Sequence, residues 1–275
     1  EQFTVVINTF KRLDNMQEAV QFYSSCPYVS EIYVTWSEPQ LPPENLVKNY
    51  HARSKPHVAF MIHGSTSLNN RFIPLSGLAH KEGIFSVDDD IRVPCHELGL
   101  AFETWRNSPH SLVGFIPRIH IRGAAGALDY RCWWNVWWHG AYSIILTKAA
   151  FLHHSYFKMY TEQMPAPIRK YVDDNSNCED IAMQFLVSNH TNRPPVFVKG
   201  HLSDGGALGG ISTKKNFVKA QHMDARAQCL NEFTRLFGRN PLVKSHVIVD
   251  SAANGWTNAP STWWEYISSD LWHFN

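Results

Sequence analysis

Gly83-Ile84-Phe85-Ser86-Val87-Asp88-Asp89-Asp90-Ile91 runs from a mostly apolar half into three consecutive carboxylates and back to an apolar side chain. A continuous apolar run bounded by glycine reads as a short strand covered on both faces. Three adjacent carboxylates repel one another, and no fold requires them. A hard divalent cation relieves that repulsion, because Mg²⁺ and Mn²⁺ take oxygen ligands from one or two carboxylates and from substrate phosphates. The carboxyl end of a strand in an open α/β sheet is also where ligands bind. A solvated acidic turn is the competing reading, and the buried strand in front of the triplet favours the metal–phosphate site.

Outward from this stretch the chain alternates. Phe3–Asn8 predicts a strand, followed by a polar loop carrying Arg12 and a helix over 15–23 with Met16, Ala19, Val20 and Tyr23 on one face. Strands are expected at 31–36, 57–62 and 112–118, and a helix from the spacing of Leu98, Leu100, Ala101, Phe102 and Trp105. Residues 41–54 read as a Pro- and charge-bearing connection, and 67–72 as a polar segment. Such alternation implies a mostly parallel sheet with crossover helices. Arg12 and Arg71 would then share an edge with Asp88, Asp89 and Asp90, and a guanidinium fork suits phosphate oxygens.

The second half is less regular. Trp133, Trp134, Trp137 and Trp138 fall within six residues. Read as a strand, the block sends neighbouring rings to opposite faces, with one pair in the core and the other lining an acceptor cleft, or all four in the core. Residues 141–146 predict a strand and Thr147 caps a helix over 148–156. Further expectations are a helix from Asn177 through Val187, a strand at 195–199, a glycine-rich mobile loop over 200–216, a helix over 218–237 and a strand at 244–250. Glu179 and Asp180 at a helix start can simply complement its dipole. His222 and Arg226 lie one turn apart on one helix face, as a solvated pair or as pyrophosphate contacts.

The 275 residues, 44% of them hydrophobic, supply a sizeable core, so one large domain fits better than two independent ones. Twenty-five basic residues against 24 acidic leave a net charge of +1, which argues against nucleic acid as a general partner. Ten tryptophans suit either a sugar-binding cleft or a large core. No run reaches the length of a membrane span. The first residues are Glu1-Gln2, so an anchor or targeting segment is expected outside this chain. The five cysteines lack zinc spacing and allow two internal disulfides with one left over. Asn189-His190-Thr191 is a glycosylation sequon.

Six blocks in order resemble the exostosin-like glycosyltransferases, family sixty-four. They are Thr9-Phe10-Lys11-Arg12, Ser67-Leu68-Asn69-Asn70-Arg71-Phe72, Val87-Asp88-Asp89-Asp90, Val113-Gly114-Phe115-Ile116-Pro117-Arg118, Asn177-Cys178-Glu179-Asp180-Ile181-Ala182-Met183 and Arg226-Ala227-Gln228-Cys229-Leu230-Asn231. The resemblance covers roughly residues 3 to 250. It implies a GT-A type α/β fold: a Rossmann-like mixed sheet with flanking helices in a single domain over 1–250. Residues 1–120 would be its nucleotide-sugar half and 121–250 its acceptor half, with 251–275 as an extension. It also implies retaining transfer from a nucleotide sugar, with Mn²⁺ (or Mg²⁺), in the Golgi lumen.

Asp88, Asp89 and Asp90 match the family's DXD motif, with Asp90 on the metal and Asp88 near the donor's ribose and sugar. Arg12, Asn70 and Arg71 match donor-contacting positions. Asn177 and Asp180 match a pair beside donor sugar and acceptor, and Arg226, with His222 on its face, an arginine near the diphosphate. Cys178 and Cys229 match a disulfide. Thr66 stands where the family has an asparagine. The tryptophan block looks closer to the plant branch that mannosylates glycosyl inositol phosphorylceramides from GDP-mannose, with a UDP-N-acetylglucosamine branch next. A donor of the GDP- or UDP-sugar type and a glycan or glycolipid acceptor are therefore the expected partners, and a homo-oligomer stays open. Competing readings are a metal-dependent nucleotidyltransferase or nucleotide-sugar hydrolase, a glycan-binding module built on the tryptophans, and a structural partner of another transferase.

Overall fold

The computed structural model describes residues 1–52, 56–75, 83–123, 126–205 and 219–250. Its centre is a mixed eight-stranded sheet. In spatial order the strands are β13 (Ile248–Asp250), β11 (Val196–Lys199), β6 (Val113–Gly114), β10 (Ala149–His153), β4 (Gly83–Asp88), β1 (Phe3–Thr9), β2 (Val29–Trp36) and β3 (His57–Ile62). Neighbours are parallel except at β10, which runs antiparallel to both β4 and β6. The sheet and its flanking helices are the expected mixed α/β class.

β1 and β4 carry apolar residues on both faces, and each face builds its own core. Val5, Ile7, Phe85, Val87 and Phe151 pack with α1 (Leu13–Ser24) and α3 (Cys95–Arg106). Those helices contribute Met16, Ala19, Val20 and Tyr23, and Leu98, Ala101, Phe102 and Trp105, the i, i+3, i+4, i+7 stripe of a helix with one covered face. On the other face Val6, Ile84, Ala150 and Leu152 meet α5 (Ser155–Glu162), α6 (Ala166–Asn175), α7 (Glu179–Thr191) and α8 (Lys219–Phe237). Beside this face lies a small antiparallel sheet, β8 (Leu128–Arg131), β7 (Pro117–Arg122) and β9 (Ile144–Ile145) in that order. A third pairing joins β5 (Ile91–Arg92) to β12 (Ser203–Asp204).

Several expectations are corrected. Residues 148–156 do not form one helix: 149–153 are β10, buried between β4 and β6, and α5 starts at Ser155. Ala-Ala-Phe-Leu has good helix propensity, and tertiary burial overrides it. Thr147 caps nothing and instead accepts from Arg71 Nη1 at 3.3 Å. The expected strand at 112–118 breaks at Phe115-Ile116, so that β6 stays in the main sheet and β7 enters the small one. Of 141–146 only Ile144–Ile145 is a strand, and of 244–250 only Ile248–Asp250, with a bridge between Tyr142 and Ser245.

Residues 41–54 hold α2 (Glu44–Ala52), and Leu68–Phe72 form a 3₁₀ helix whose N-cap Ser67 accepts from Asn69 N at 3.0 Å. The tryptophan block is α4 (Trp133–His139), not a strand, ended by Gly140 at φ +57°. No pair of its rings is in the core: Trp134 and Trp137 are each 40% exposed and Trp138 73%, while Val136 is the buried side chain. Residues 206–216 of the glycine-rich loop and the extension 251–275 lie outside the described residues. Among the described residues no helix is long and apolar enough to cross a membrane.

Candidate active site at the carboxyl edge of the sheet

β1 and β4 are parallel, so their carboxyl ends Thr9 and Asp88 emerge on one edge. The backbone ties the acidic triplet to that edge: Asp88 N donates to Lys148 O at 3.1 Å and Asp89 N to Asn8 O at 3.1 Å. Successive side chains then diverge. Asp88 pairs with Arg71 Nη2. Asp89 is fully buried, 2.5 Å from Arg12 Nη2, and accepts from Thr9 Oγ1 at 2.7 Å. Asp90 pairs with Arg12 Nη1, and its backbone carbonyl accepts from Gly205 N at 2.8 Å. Two guanidiniums thus face three carboxyl groups.

Burial pushes the Asp89 carboxyl up to about 7 against the pull of Arg12 and Thr9. It raises Asp88 as well, with Asp90's charge adding to it and Arg71 opposing. Burial alone would lower Arg12, and the charges of Asp89 and Asp90 outweigh it.

Arg71 is itself buried and joins this cluster to a second one. Its Nη2 lies 3.7 Å from Glu179 Oε1 at the first turn of α7. One residue on, Asp180 receives Arg226 Nη2 in a forked contact, 2.6 Å to Oδ1 and 2.5 Å to Oδ2. Arg226 Nη1 donates to Asn177 Oδ1 at 3.2 Å, and its guanidinium lies 4.7 Å from the centre of the Tyr130 ring. Burial would raise Asp180, but the charge and hydrogen bonds of Arg226 hold it below the usual carboxylate range. Glu179 goes the other way: burial and the adjacent Asp180 push it up to about 7, with Arg71 opposing.

The Cys178–Cys229 disulfide holds this geometry, joining the residue before α7 to the turn of α8 that follows Arg226. Cys178 itself sits at φ +75°, which is why α7 begins at Glu179 and not at Asn177. Cys26–Cys95 links the end of α1 to the start of α3, and Cys132 remains a thiol.

Asn70 is not among the carboxylates. Its amide donates to Ser65 O at 2.9 Å and Ser37 Oγ at 3.2 Å, fixing the 3₁₀ turn that delivers Arg71. His222 is half-buried four residues before Arg226; burial lowers it, and so do the charges of Arg226 and Arg118, with Asp180 opposing. Asn189 lies on the last turn of α7, where its Oδ1 accepts from Arg239 Nη2 at 2.8 Å. Trp133 opens α4 three residues after Tyr130, the ring under Arg226.

Glu179 escaped the sequence reading as a site residue, since an acidic residue at a helix start has a sufficient local explanation. Lys148, 2.5 Å from Asp204 Oδ2, escaped it as well. Among the described residues no group of three or more His, Cys, Asp or Glu is arranged to hold a metal ion. A closed protein cage is therefore not what the residues offer. Asp90, an all-oxygen donor next to Asp88, fits the open kind of site in which substrate phosphates complete the shell.

Residues 3–254 match the family described as "Glycosyl transferase family 64 domain". The chain is 39% identical to "Glycosylinositol phosphorylceramide mannosyl transferase 1" of Arabidopsis thaliana, over 92% of this chain and 78% of that protein. It is 33% identical to "Glucosamine inositolphosphorylceramide transferase 1" of the same plant, over 86% of this chain and 30% of that one. With "Exostosin-2" of Homo sapiens the identity is 31%, over 87% of this chain and 33% of that protein. The chain thus spans most of the first relative and about a third of the other two.

Proposed function

Since the chain belongs to glycosyl transferase family 64, we propose that it is a retaining, metal-dependent transferase moving a hexose or N-acetylhexosamine from a nucleotide sugar to a glycan or glycolipid. The donor read first is GDP-mannose, with UDP-N-acetylglucosamine second, and the acceptor a glycosyl inositol phosphorylceramide; similarity to the Arabidopsis mannosyl transferase supports that order. The observation that carries the reading is the junction at Arg71, which joins the acidic triplet to the Asp180–Arg226 pair in one buried charge cluster.

Asp90, with Asp88 beside it, would hold a divalent ion. When bound, that ion neutralises a diphosphate. Arg12 and Arg226 add fixed positive charge where the leaving diphosphate gains negative charge, and preorganised charge of this kind is worth most in a desolvated site. Asp180, kept anionic by Arg226, faces the donor sugar and orients the acceptor hydroxyl; no covalent role is assigned to it. Residues 1–120 carry the donor side and 121–250 the acceptor side, with Trp133, Trp134, Trp137 and Trp138 on the latter. Two disulfides suit an oxidising compartment such as the Golgi lumen, with the chain as the catalytic domain of a membrane-anchored protein, and Asn189 as a glycan site there.

Titration calorimetry with GDP and Mn²⁺ tests the scheme. Asp90→Ala should lose the metal-dependent heat, while Asp180→Ala should keep it and lose turnover. An unchanged Asp90→Ala titration overturns the metal–diphosphate assignment.

A further inference from the structure

Lys11, in the loop after β1, adopts φ +56°, a left-handed backbone that a residue with a side chain keeps only when its surroundings support it. Glu38 gives that support: its Oε1 accepts from Lys11 N at 2.8 Å. Glu38 itself sits in a closed turn after β2. Trp36 Nε1 donates across this turn to Gln40 O at 2.7 Å, and Pro39 fixes a backbone angle inside it. The carboxylate is thus held from both sides. It is partly exposed, and among the described residues no cation pairs with it. The Lys11 ammonium lies instead 5.0 Å from the centre of the Phe10 ring. One hydrogen bond uses one of the roughly four lone-pair positions of a carboxylate.

β1 pairs in parallel with β4 on one side and with β2 on the other, Asn8 beside Asp88 and Thr9 beside Trp36. Asp88–Asp90, Lys11–Arg12 and Ser37–Glu38 therefore leave the same edge of the sheet side by side. Arg12, next to Lys11, pairs with Asp89 and Asp90, where the proposed function puts the diphosphate. Two strand spacings, roughly 10 Å, separate β4 from β2, about the reach of a ribose and its base. The opposite flank is taken: Lys148, just before β10, pairs with Asp204, and Thr147 accepts from Arg71. A nucleotide anchored by its phosphates at Arg12 and Asp90 has room for its base on the Glu38 side.

We propose that Glu38 selects the base of the donor nucleotide, its carboxylate accepting from N1–H and the 2-amino group of a guanine. The inference deepens the donor half of the proposed function and rests on it. An ionised carboxylate only accepts. Guanine offers two adjacent donors on one edge, which the two oxygens take together as they take the paired N–H groups of an arginine fork. Uracil offers one N–H between two carbonyl oxygens, and adenine a bare ring nitrogen, so both set lone pairs against the carboxylate. Discrimination comes from that repulsion as well as from the attraction. Bracing Lys11 N needs one neutral acceptor; the second oxygen and the charge have no partner among the described residues.

Titration calorimetry with GDP, IDP and UDP, each with Mn²⁺, is the test. IDP keeps N1–H and lacks the 2-amino group. The wild type should bind GDP roughly tenfold or more tighter than either IDP or UDP. Glu38→Gln keeps an oxygen for Lys11 N but turns an NH₂ towards the base. It should bring the GDP-to-IDP ratio down to about twofold or less. The wild-type ratio needs no variant and decides the matter even if Glu38→Gln does not fold.

GDP and IDP bound alike by the wild type, or UDP bound more tightly than GDP, overturns the inference and leaves the metal–diphosphate scheme standing. Equal weakening of GDP and IDP in Glu38→Gln overturns it too, because a turn that has merely lost its brace gives that result. A wild type that binds none of the three ends both readings. Asp90→Ala should weaken all three nucleotides together, so the donor scheme is read from total affinity and the role of Glu38 from the ratios.

Discussion

At the scale of single residues, Glu179 is the informative side chain. Its carboxyl is raised to about 7, first by burial and then by Asp180, with the Arg71 guanidinium 3.7 Å away pulling the other way. The folded state therefore holds a proton that the unfolded chain releases near the ordinary glutamate value of about 4.3. Below that value both states are protonated and Glu179 costs nothing. As pH rises towards 7 the unfolded state loses its proton first, so stability falls, by an amount on the order of 3 kcal/mol, and then levels off. Glu179→Gln should remove that decline, and urea unfolding of both proteins at pH 5 and pH 7.5 measures it. Equal pH dependence in the two would show that Glu179 is ionised throughout. From the sequence the residue looked like an ordinary helix-start acid. Its environment comes from Arg71 and Asp88, which are remote in the chain.

At the scale of elements, β10 decides how the sheet is put together. It is the one antiparallel strand of the large sheet and separates the β4–β1–β2–β3 block from β6, β11 and β13. Its contact with β6 is close: a Cβ on Gly114 would lie 2.4 Å from Ala149 O and 2.8 Å from Ala150 Cα. Both obstacles are backbone and cannot swing aside. Gly114→Ala should destabilise by about 3 kcal/mol or more, lowering the melting temperature by roughly 6–12 °C; a wild-type melting temperature would refute the packing. Periodicity found the strands and helices whose cover is one-sided or continuous, among them β1, β4, α1, α3 and most of α7. It missed β10 and α4. Ala-Ala-Phe-Leu suits a helix until two strands claim it. A run of tryptophans suggests a strand because aromatic residues favour strands, while the wheel of α4 becomes visible only once Val136 is seen to be buried.

At the scale of the whole molecule, charge joins the two clusters of the site and a disulfide braces the second of them. Arg71 bridges β4 to α7, and the Cys178–Cys229 bond fixes α7 to α8, closing a separation of 51 residues. A loop of that size stabilises by about 4 kcal/mol in the chain-entropy account. A donor that spans both clusters should stabilise the domain by mass action, by about 2.7 kcal/mol at one hundred times its dissociation constant. A thermal-shift panel of GDP, UDP and their sugars, each with and without Mn²⁺, should show the largest rise with the GDP compounds plus metal. A larger rise with UDP would reassign the base, and a rise indifferent to Mn²⁺ would remove the ion from the scheme. The primary structure by itself determined the class of fold and the family, and supplied the candidate site residues, because burial periodicity, the Asp88–Asp90 triplet and the six ordered blocks are properties of short stretches. Only the tertiary structure decided that Asp89 is buried against Arg12, that burial beside Asp180 raises Glu179 and that Trp134, Trp137 and Trp138 are exposed. Each of these depends on charge and cover brought from elsewhere in the chain, and desolvation has no counterpart in a local window of sequence.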